Sequence, residues 1–182
     1  MQLYFRDLLF KDLESFAKLT HPSMLHNQFN GPYYHQDTEK EHINKIKKIR
    51  KKLKKGVKVF ENRRLIVDMD NEEIIGDVGW YWKSQETDWL EVGIVIYNEK
   101  YWGKGLGTFA LKKWITDIFQ LKPEIVRIGL TTWSGNERMM RLAEKIGLKL
   151  EARYINARKL NGEYYDSVSY GILREDWDEL QK

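Results

Sequence analysis

Apolar and polar residues along the chain repeat with two periods, two residues for strands and three to four for helices. Gln2 to Arg6 reads as a first strand, and Asp12 to Leu19 as a short amphipathic helix with Leu13, Phe16, Ala17 and Leu19 inward. Residues 20–37 lose the periodicity and gather aromatics, Phe29, Tyr33 and Tyr34, beside Pro22 and Gly31-Pro32. Thr38 with Glu41 forms a capping box, and a long helix runs from it to Gly56, a residue suited to the position after a helix end. Ile43, Ile46, Ile49 and Leu53 give that helix one apolar stripe. Three strands follow, 64–69, 74–82 and 89–97, with the polar loop Asp70-Asn71-Glu72-Glu73 between the first two and a second break at Lys83 to Asp88. A helix then continues to about Phe119 and breaks at Lys122-Pro123-Glu124. The strand 125–132 is expected parallel to 89–97, because a helix crosses between them. Another helix starts at Ser134-Gly135-Asn136-Glu137, turns Met139, Met140, Leu142, Ala143 and Ile146 inward and stops at Gly147. Strands 148–160 and 163–173 flank Asn161-Gly162, a type I′ hairpin turn, and Arg174 to Trp177 follows.

The stretch joining strand 89–97 to its helix is Tyr101-Trp102-Gly103-Lys104-Gly105-Leu106-Gly107-Thr108. Three glycines in five positions let the backbone turn tightly and bring N–H groups near a ligand. The helix start adds unpaired donors and the positive end of a dipole, which together suit a phosphate or pyrophosphate. Lys100 and Lys104 add positive charge. No Gly-x-x-x-x-Gly-Lys-Ser/Thr is present. Gly105 to Ala110 formally fits the dinucleotide fingerprint. That fingerprint also needs an acidic residue about 20 positions on, at the end of a second strand, whereas Glu124 precedes the next strand.

Composition narrows the chemistry. A chain of 182 residues suits one domain, read here as 1–182, with a sizeable core. Having no cysteine, it offers no disulfide, thiolate metal site or thiol nucleophile. Its four histidines lack His-Glu-x-x-His spacing, so no metal is expected. The absence of a leader or an 18-residue apolar run argues for a cytoplasmic protein with no membrane partner. A net charge of +4 suits an anionic cofactor as well as a nucleic acid. The lysines around Lys47, Lys48, Lys51 and Lys52 are read as a solvated helix face, with RNA binding as the alternative.

Trp102-Gly103-Lys104-Gly105-Leu106-Gly107 resembles the coenzyme A signature Arg/Gln-x-x-Gly-x-Gly/Ala of the GNAT N-acetyltransferases, with Trp in place of Arg or Gln. Asn136 to Leu148, and Gly162 to Trp177, are similar to the second motif and the ending of the branch that resembles the ribosomal-protein N-terminal acetyltransferases. The resemblance covers residues 90–177 best. It implies an α/β (α+β) fold, a mixed and mostly antiparallel sheet with one splayed parallel pair and helices on both faces. It further implies an acetyl-CoA-dependent enzyme acting on a primary amine, such as a protein N-terminus, a polyamine or an amine-bearing small molecule, by direct attack in a ternary complex. A non-catalytic module binding acyl-CoA or RNA is the other reading, and a homodimer is compatible with either.

The resemblance also implies roles. The pantetheine arm would pair with the backbone at Ile94, Val95 and Ile96. The pyrophosphate would meet Trp102, Gly103, Lys104, Gly105, Leu106, Gly107 and Thr108, and Asn136 would bond the arm while also serving as a helix cap. Attack of an amine on a thioester needs a base, oxyanion stabilisation and an acid. Glu91 is the expected base, with an exposed strand charge as its alternative reading, and the backbone N–H near Val95 the oxyanion donor. The family's acid Tyr is replaced by Ala143 and the branch's Ser by Met139. Ser134 and Tyr164 are therefore the substitute acids. Should Glu91 not serve, His26 and His35 of the aromatic loop are the next bases. Trp80 and Trp82 share one face of their strand, lining either an acceptor cleft or the core.

Overall fold

Up to residue 173 the main strands and helices follow one another in the order that the periodicity predicts, in a computed structural model that describes residues 2–182. The strands are β1 (Leu3–Arg6), β2 (Arg63–Asp68), β3 (Ile74–Ser84), β4 (Trp89–Ile96), β5 (Arg127–Trp133), β6 (Lys149–Leu160) and β7 (Glu163–Leu173). They form one seven-stranded sheet in the order β1-β2-β3-β4-β5-β7-β6. The β4–β5 pair is parallel, and β1–β2, β2–β3, β5–β7 and β6–β7 are antiparallel. Five α-helices complete the mixed fold: α1 (Leu13–Leu19), α2 (Glu39–Lys54), α3 (Leu106–Leu121), α4 (Glu137–Lys145) and α5 (Arg174–Leu180). The chain divides into two compact units, Met1–Gly79 with Ile94–Lys104, and Trp80–Gly93 with Gly105–Lys182. β3 and β4 each give residues to both.

In the first unit, Leu8, Phe16, Leu65, Val67, Ile74 and Tyr97 form a buried cluster, and Ile46, Ile49 and Leu53 of α2 pack on it. Ile43 does not join them and is 44% exposed. His42 turns inward instead, its Nε2 lying 3.0 Å from the Ala17 carbonyl. The inward row is thus His42, Ile46, Ile49 and Leu53, at the i, i+4, i+7, i+11 spacing of one helical face. The helix starts as expected: Thr38 Oγ1 accepts from Glu41 N–H and Glu41 accepts from Thr38 N–H at 2.7 Å.

In the second unit, β5 and β7 alternate. Ile128, Leu130, Val168, Tyr170 and Ile172 are buried, and the Tyr170 hydroxyl donates to Glu144 of α4, so this face meets the helix. Arg127, Gly129, Thr131, Ser169 and Gly171 take the other face, in register across the two strands. Asn161 (φ 51°) and Gly162 (φ 87°) both lie in the left-handed region, as a type I′ turn requires. Residues 174–180 form a helix where the sequence pattern showed only an ending. Trp177 anchors it, 1% exposed, with its indole N–H on Thr116 Oγ1 at 3.1 Å. Arg174 donates to the carbonyls of Phe119, Lys122 and Ile125 at 2.9, 2.8 and 2.6 Å, and its guanidinium sits 4.6 Å from the Phe119 ring centre. One side chain therefore satisfies one of the carbonyls that the last turn of α3 leaves open, that of Phe119, and ties down the turn that follows the helix.

Candidate active site

The glycine stretch adopts the tight turn its composition suggests. Gly103 (φ 73°) and Gly105 (φ 79°) are left-handed, and Gly105 is the N-cap of α3. A Cβ built on either glycine would meet no protein atom within 4 Å among the described residues, so the surface above the turn is open. Gly107 differs. Its φ is ordinary for any residue, and a Cβ there would rest 3.6 Å from Leu142 Cδ2, an ordinary contact. The first N–H groups of α3 have no carbonyl four residues back within the helix, and the positive end of a 16-residue helix lies at this turn.

Trp102 holds the turn from below. Its indole N–H donates to the Ile96 carbonyl at 2.9 Å, tying the turn to the end of β4, and Phe29 packs edge-on against the ring at 5.6 Å. An indole thus replaces the Arg or Gln of the resembling signature and has a clear positioning task. Ile96 spends one carbonyl lone pair on it. Lys100 is engaged as well, 2.8 Å from Glu73 and above the Tyr101 ring, while Lys104 is exposed.

Glu91 lies on the sheet face away from α4, paired with Gly129 in the parallel ladder. It is not an exposed strand charge, being 2% exposed. Both carboxylate oxygens have partners: the Tyr81 hydroxyl donates to Oε2, the Thr131 hydroxyl donates to Oε1 at 2.9 Å, and Lys83 Nζ lies 3.5 Å from Oε1. A buried carboxylate persists only with such partners. Thr131 Oγ1 also lies 3.0 Å from Ser169 Oγ, which extends the network across β5 to β7. Gly129 makes the room, since a Cβ there would come within 3.1 Å of Glu91 Cγ. The described parallel ladder holds two pairs, Leu90 with Ile128 and Glu91 with Gly129, and β4 runs on to Ile96.

The remaining expected residues are placed as follows. Asn136 caps α4, its side chain accepting from Met139 N–H at 3.2 Å. Ser134 is bound to β7 twice: its Oγ accepts from Asp166 N–H at 2.9 Å and its N–H donates to the Asp166 carbonyl at 3.0 Å. Tyr164 is 57% exposed beside the hairpin turn, with Lys159 Nζ 5.4 Å from its ring centre. Ser134 thus has a structural task, and Tyr164 lies two residues from Asp166 on the same strand, next to the turn. Val95 packs on the first unit's core, and its carbonyl faces Gly76 so closely that a Cβ there would be 2.0 Å away. Trp80 and Trp82 meet edge to face at 5.4 Å, and Lys122 Nζ lies 4.8 and 5.1 Å from their ring centres, so they form a cation-binding aromatic pair rather than closed core.

Of the two loop histidines, His26 is buried against Tyr97, with Nδ1 3.3 Å from the Tyr97 carbonyl. Burial pushes its imidazole below the usual range. Tyr97 in turn donates its hydroxyl to Asp77, which Arg63 approaches at 3.3 Å, and burial holds the phenol well above its ordinary pKa. His35 is exposed, 3.2 Å from Glu41. His35, Asp37 and Glu41 have ligand-type atoms within 4.8 Å of one another. The helix cap and the Asp37–Lys45 ion pair already explain that arrangement.

Sequence reasoning found Glu91 but missed Tyr81, Lys83 and Thr131. The available signal was the strict alternation of β3, which puts Tyr81 and Lys83 together on the face opposite Trp80 and Trp82.

The family model described as "Acetyltransferase (GNAT) domain" matches residues 2–149. The chain belongs to the GNAT acetyltransferase family. Among curated relatives from Bacillus subtilis (strain 168), the chain is 33% identical over 88 residues to YdaF, named "Putative ribosomal N-acetyltransferase", and 28% identical over 121 residues to the uncharacterized N-acetyltransferase YoaA. These alignments cover 48% and 66% of this chain, and the chain spans only 47% and 64% of the relatives' lengths. The fold matches the Vibrio cholerae spermidine N-acetyltransferase, solved in complex with CoA and spermine, with TM-score 0.74 at 19% identity over 97% of this chain and 98% of that one. It also matches a GNAT-family acetyltransferase from Bacillus anthracis, with TM-score 0.72 at 22% identity over 96% of each chain. No helix among the described residues is long and apolar enough to cross a membrane.

Proposed function

We propose that this GNAT protein is an acetyl-CoA-dependent N-acetyltransferase that moves an acetyl group to a primary amine by direct attack. The observation that carries the reading is the open glycine turn at the start of α3, whose left-handed Gly103 and Gly105 leave their outer surface free of protein atoms. Backbone donors at a helix start suit a pyrophosphate. The N–H groups of Gly103 to Gly107 would hold it, Trp102 would fix the turn, and the β4 backbone at Ile94 and Val95 would pair with the pantetheine amides. The Ile96 carbonyl would contribute through its remaining lone pair. Asn136 would reach the arm while capping α4.

Glu91 supports catalysis rather than mere binding. A carboxylate buried on β4 with a phenol, a hydroxyl and an ammonium around it is held in a fixed position on the strand that leads to the glycine turn. Free alkylamines have pKa values near 10, like Lys, so at neutral pH the ammonium outweighs the amine by roughly a thousandfold. A base that removes a proton during attack contributes about 10² to 10⁴ in rate. The backbone N–H near Val95 would face the oxyanion. The acceptor class is a protein N-terminus, a polyamine or an amine-bearing small molecule. The test is thiol release from acetyl-CoA with a panel of N-terminal peptides, spermidine, spermine and aminoglycosides. Turnover of one class above the amine-free rate is expected. Calorimetry showing no acetyl-CoA binding to the folded protein would refute the reading.

A further inference from the structure

Glu91 presents a difficulty for direct proton transfer. With 2% exposure and partners on both oxygens, it has no surface for an incoming amine to touch. A general base must come within hydrogen-bond reach of the proton it takes, directly or through one intermediary. Among its partners, Thr131 is half-buried and turned toward Ser169. Lys83 is a cation that brings no acceptor lone pair. Tyr81 is 47% exposed and donates its hydroxyl to Glu91 Oε2. A phenol oxygen that donates one proton can accept another. Its place on β3, one residue out of phase with Trp80 and Trp82, gives the buried carboxylate an exposed extension.

We propose that Tyr81 is the catalytic residue that touches the acceptor amine, with Glu91 behind it as the final proton store. This assignment rests on the acetyl-transfer reading above. The amine nitrogen forms a bond to the thioester carbonyl carbon and becomes positively charged. One N–H bond then breaks as its proton passes to the Tyr81 oxygen, while the Tyr81 O–H bond breaks and that proton passes to Glu91 Oε2. Tyr81 ends as it began and Glu91 is neutral. Collapse of the tetrahedral centre breaks the carbon–sulfur bond, and the thiolate takes a proton back by the reverse path through Tyr81. Atoms and charge balance for the neutral amine, which the ammonium form supplies by first releasing one proton to bulk water. The same phenol thus supplies the acid for which the sequence offered no family tyrosine, Ala143 standing in its place.

The experiment compares wild type, Tyr81→Phe, Glu91→Gln and the double variant on an amine that the wild type acetylates. Tyr81→Phe keeps the ring and removes the hydroxyl. It is expected to lower kcat at least tenfold, with the KM for acetyl-CoA within about twofold of wild type. The double variant is expected to lose no more than the worse single one, because both act on one proton path. Wild-type kcat in Tyr81→Phe, or losses that multiply in the double variant, would overturn the relay and leave the acetyltransferase reading standing. Failure of the wild type to turn over any amine in the panel would overturn both. If melting shows Tyr81→Phe unfolded, a fluorinated tyrosine at position 81 preserves the shape and shifts the acidity of the phenol. Changed kcat with unchanged KM supports the relay, and unchanged kcat refutes it.

Discussion

Replacing Gly76 by alanine should damage cofactor binding from a strand to which no coenzyme-binding residue is assigned. Gly76 sits on β3 opposite Ile66. A Cβ there would lie 2.0 Å from the Val95 carbonyl oxygen, 3.0 Å from the Val95 carbonyl carbon and 3.1 Å from Ile96 Cα, where contacts under 3.0 Å are essentially never seen. The backbone at Val95 must therefore move by at least about 1 Å, because no flexible side-chain end is available to yield instead. Overpacking of this kind costs about 1–3 kcal/mol. For a chain of this length each kcal/mol lowers Tm by about 2–4 °C, so a fall of roughly 2–12 °C is expected. A displacement of about 1 Å near reacting atoms costs on the order of 10² in rate. Acetyl-CoA affinity should drop at least tenfold, about 1.4 kcal/mol. Gly79→Ala on the same strand is the control, since its Cβ would be 3.4 Å from the nearest atom, the Asn62 carbonyl oxygen. Calorimetry and thermal melting of both variants decide the matter. A Gly76→Ala protein with wild-type Tm and wild-type acetyl-CoA affinity would refute the close packing of β3 on Val95 and the role given to the β4 backbone.

Gly107→Val should leave the protein folded, because the space beside Leu142 admits a Cβ at 3.6 Å, yet weaken acetyl-CoA at least tenfold, read by calorimetry alongside circular dichroism. Glu91→Gln should lower kcat by about 10² or more at neutral pH, with partial recovery at higher pH as more acceptor becomes neutral; full kcat across that range would remove Glu91 from the chemistry. His26 has its pKa depressed by burial, so the unfolded chain binds its proton more readily than the folded one. Its contribution to stability should fall as pH drops through the unfolded value near 6.5 and level off below the lower folded value. Melting His26→Gln beside wild type over that interval should show a flatter slope for the variant.

Much of the fold was legible because its signals are local. The Thr38–Glu41 box, the left-handed Asn161-Gly162 turn and the β4–glycine–α3 connection each follow from a few neighbouring residues. The parallel β4–β5 pair followed from one crossing helix. What escaped depends on partners distant in sequence. Ile43 looked inward by composition, but the packing of His42 on Ala17, 25 residues away, set the rotation of α2. The final helix was hidden because its anchor, Trp177, bonds to Thr116, 61 residues earlier. At the candidate site, Glu91 came from the family resemblance, which matches it to an acidic residue at the start of β4. Tyr81 and Thr131 looked like ordinary strand residues until the sheet brought them to its two oxygens.

The guanidinium of Arg174 has a consequence for the order in which the molecule is made. It binds the Phe119 carbonyl in the last turn of α3 and the Lys122 and Ile125 carbonyls just beyond the helix, and is separated from them by 49 to 55 residues. A ribosome adding roughly 5–20 residues per second needs several seconds to cover that interval. Throughout those seconds α3, about 24 Å long by its helical rise, can begin at the glycine turn but has an unfastened far end. Helix formation is cooperative, so an unsecured end frays and its fraying is felt along the helix. The emerging chain should therefore remain a poor coenzyme ligand until residue 174 is in place. Nascent-chain occupancy by acetyl-CoA, followed as a function of stalled length, should rise in one late step rather than when the turn itself leaves the tunnel.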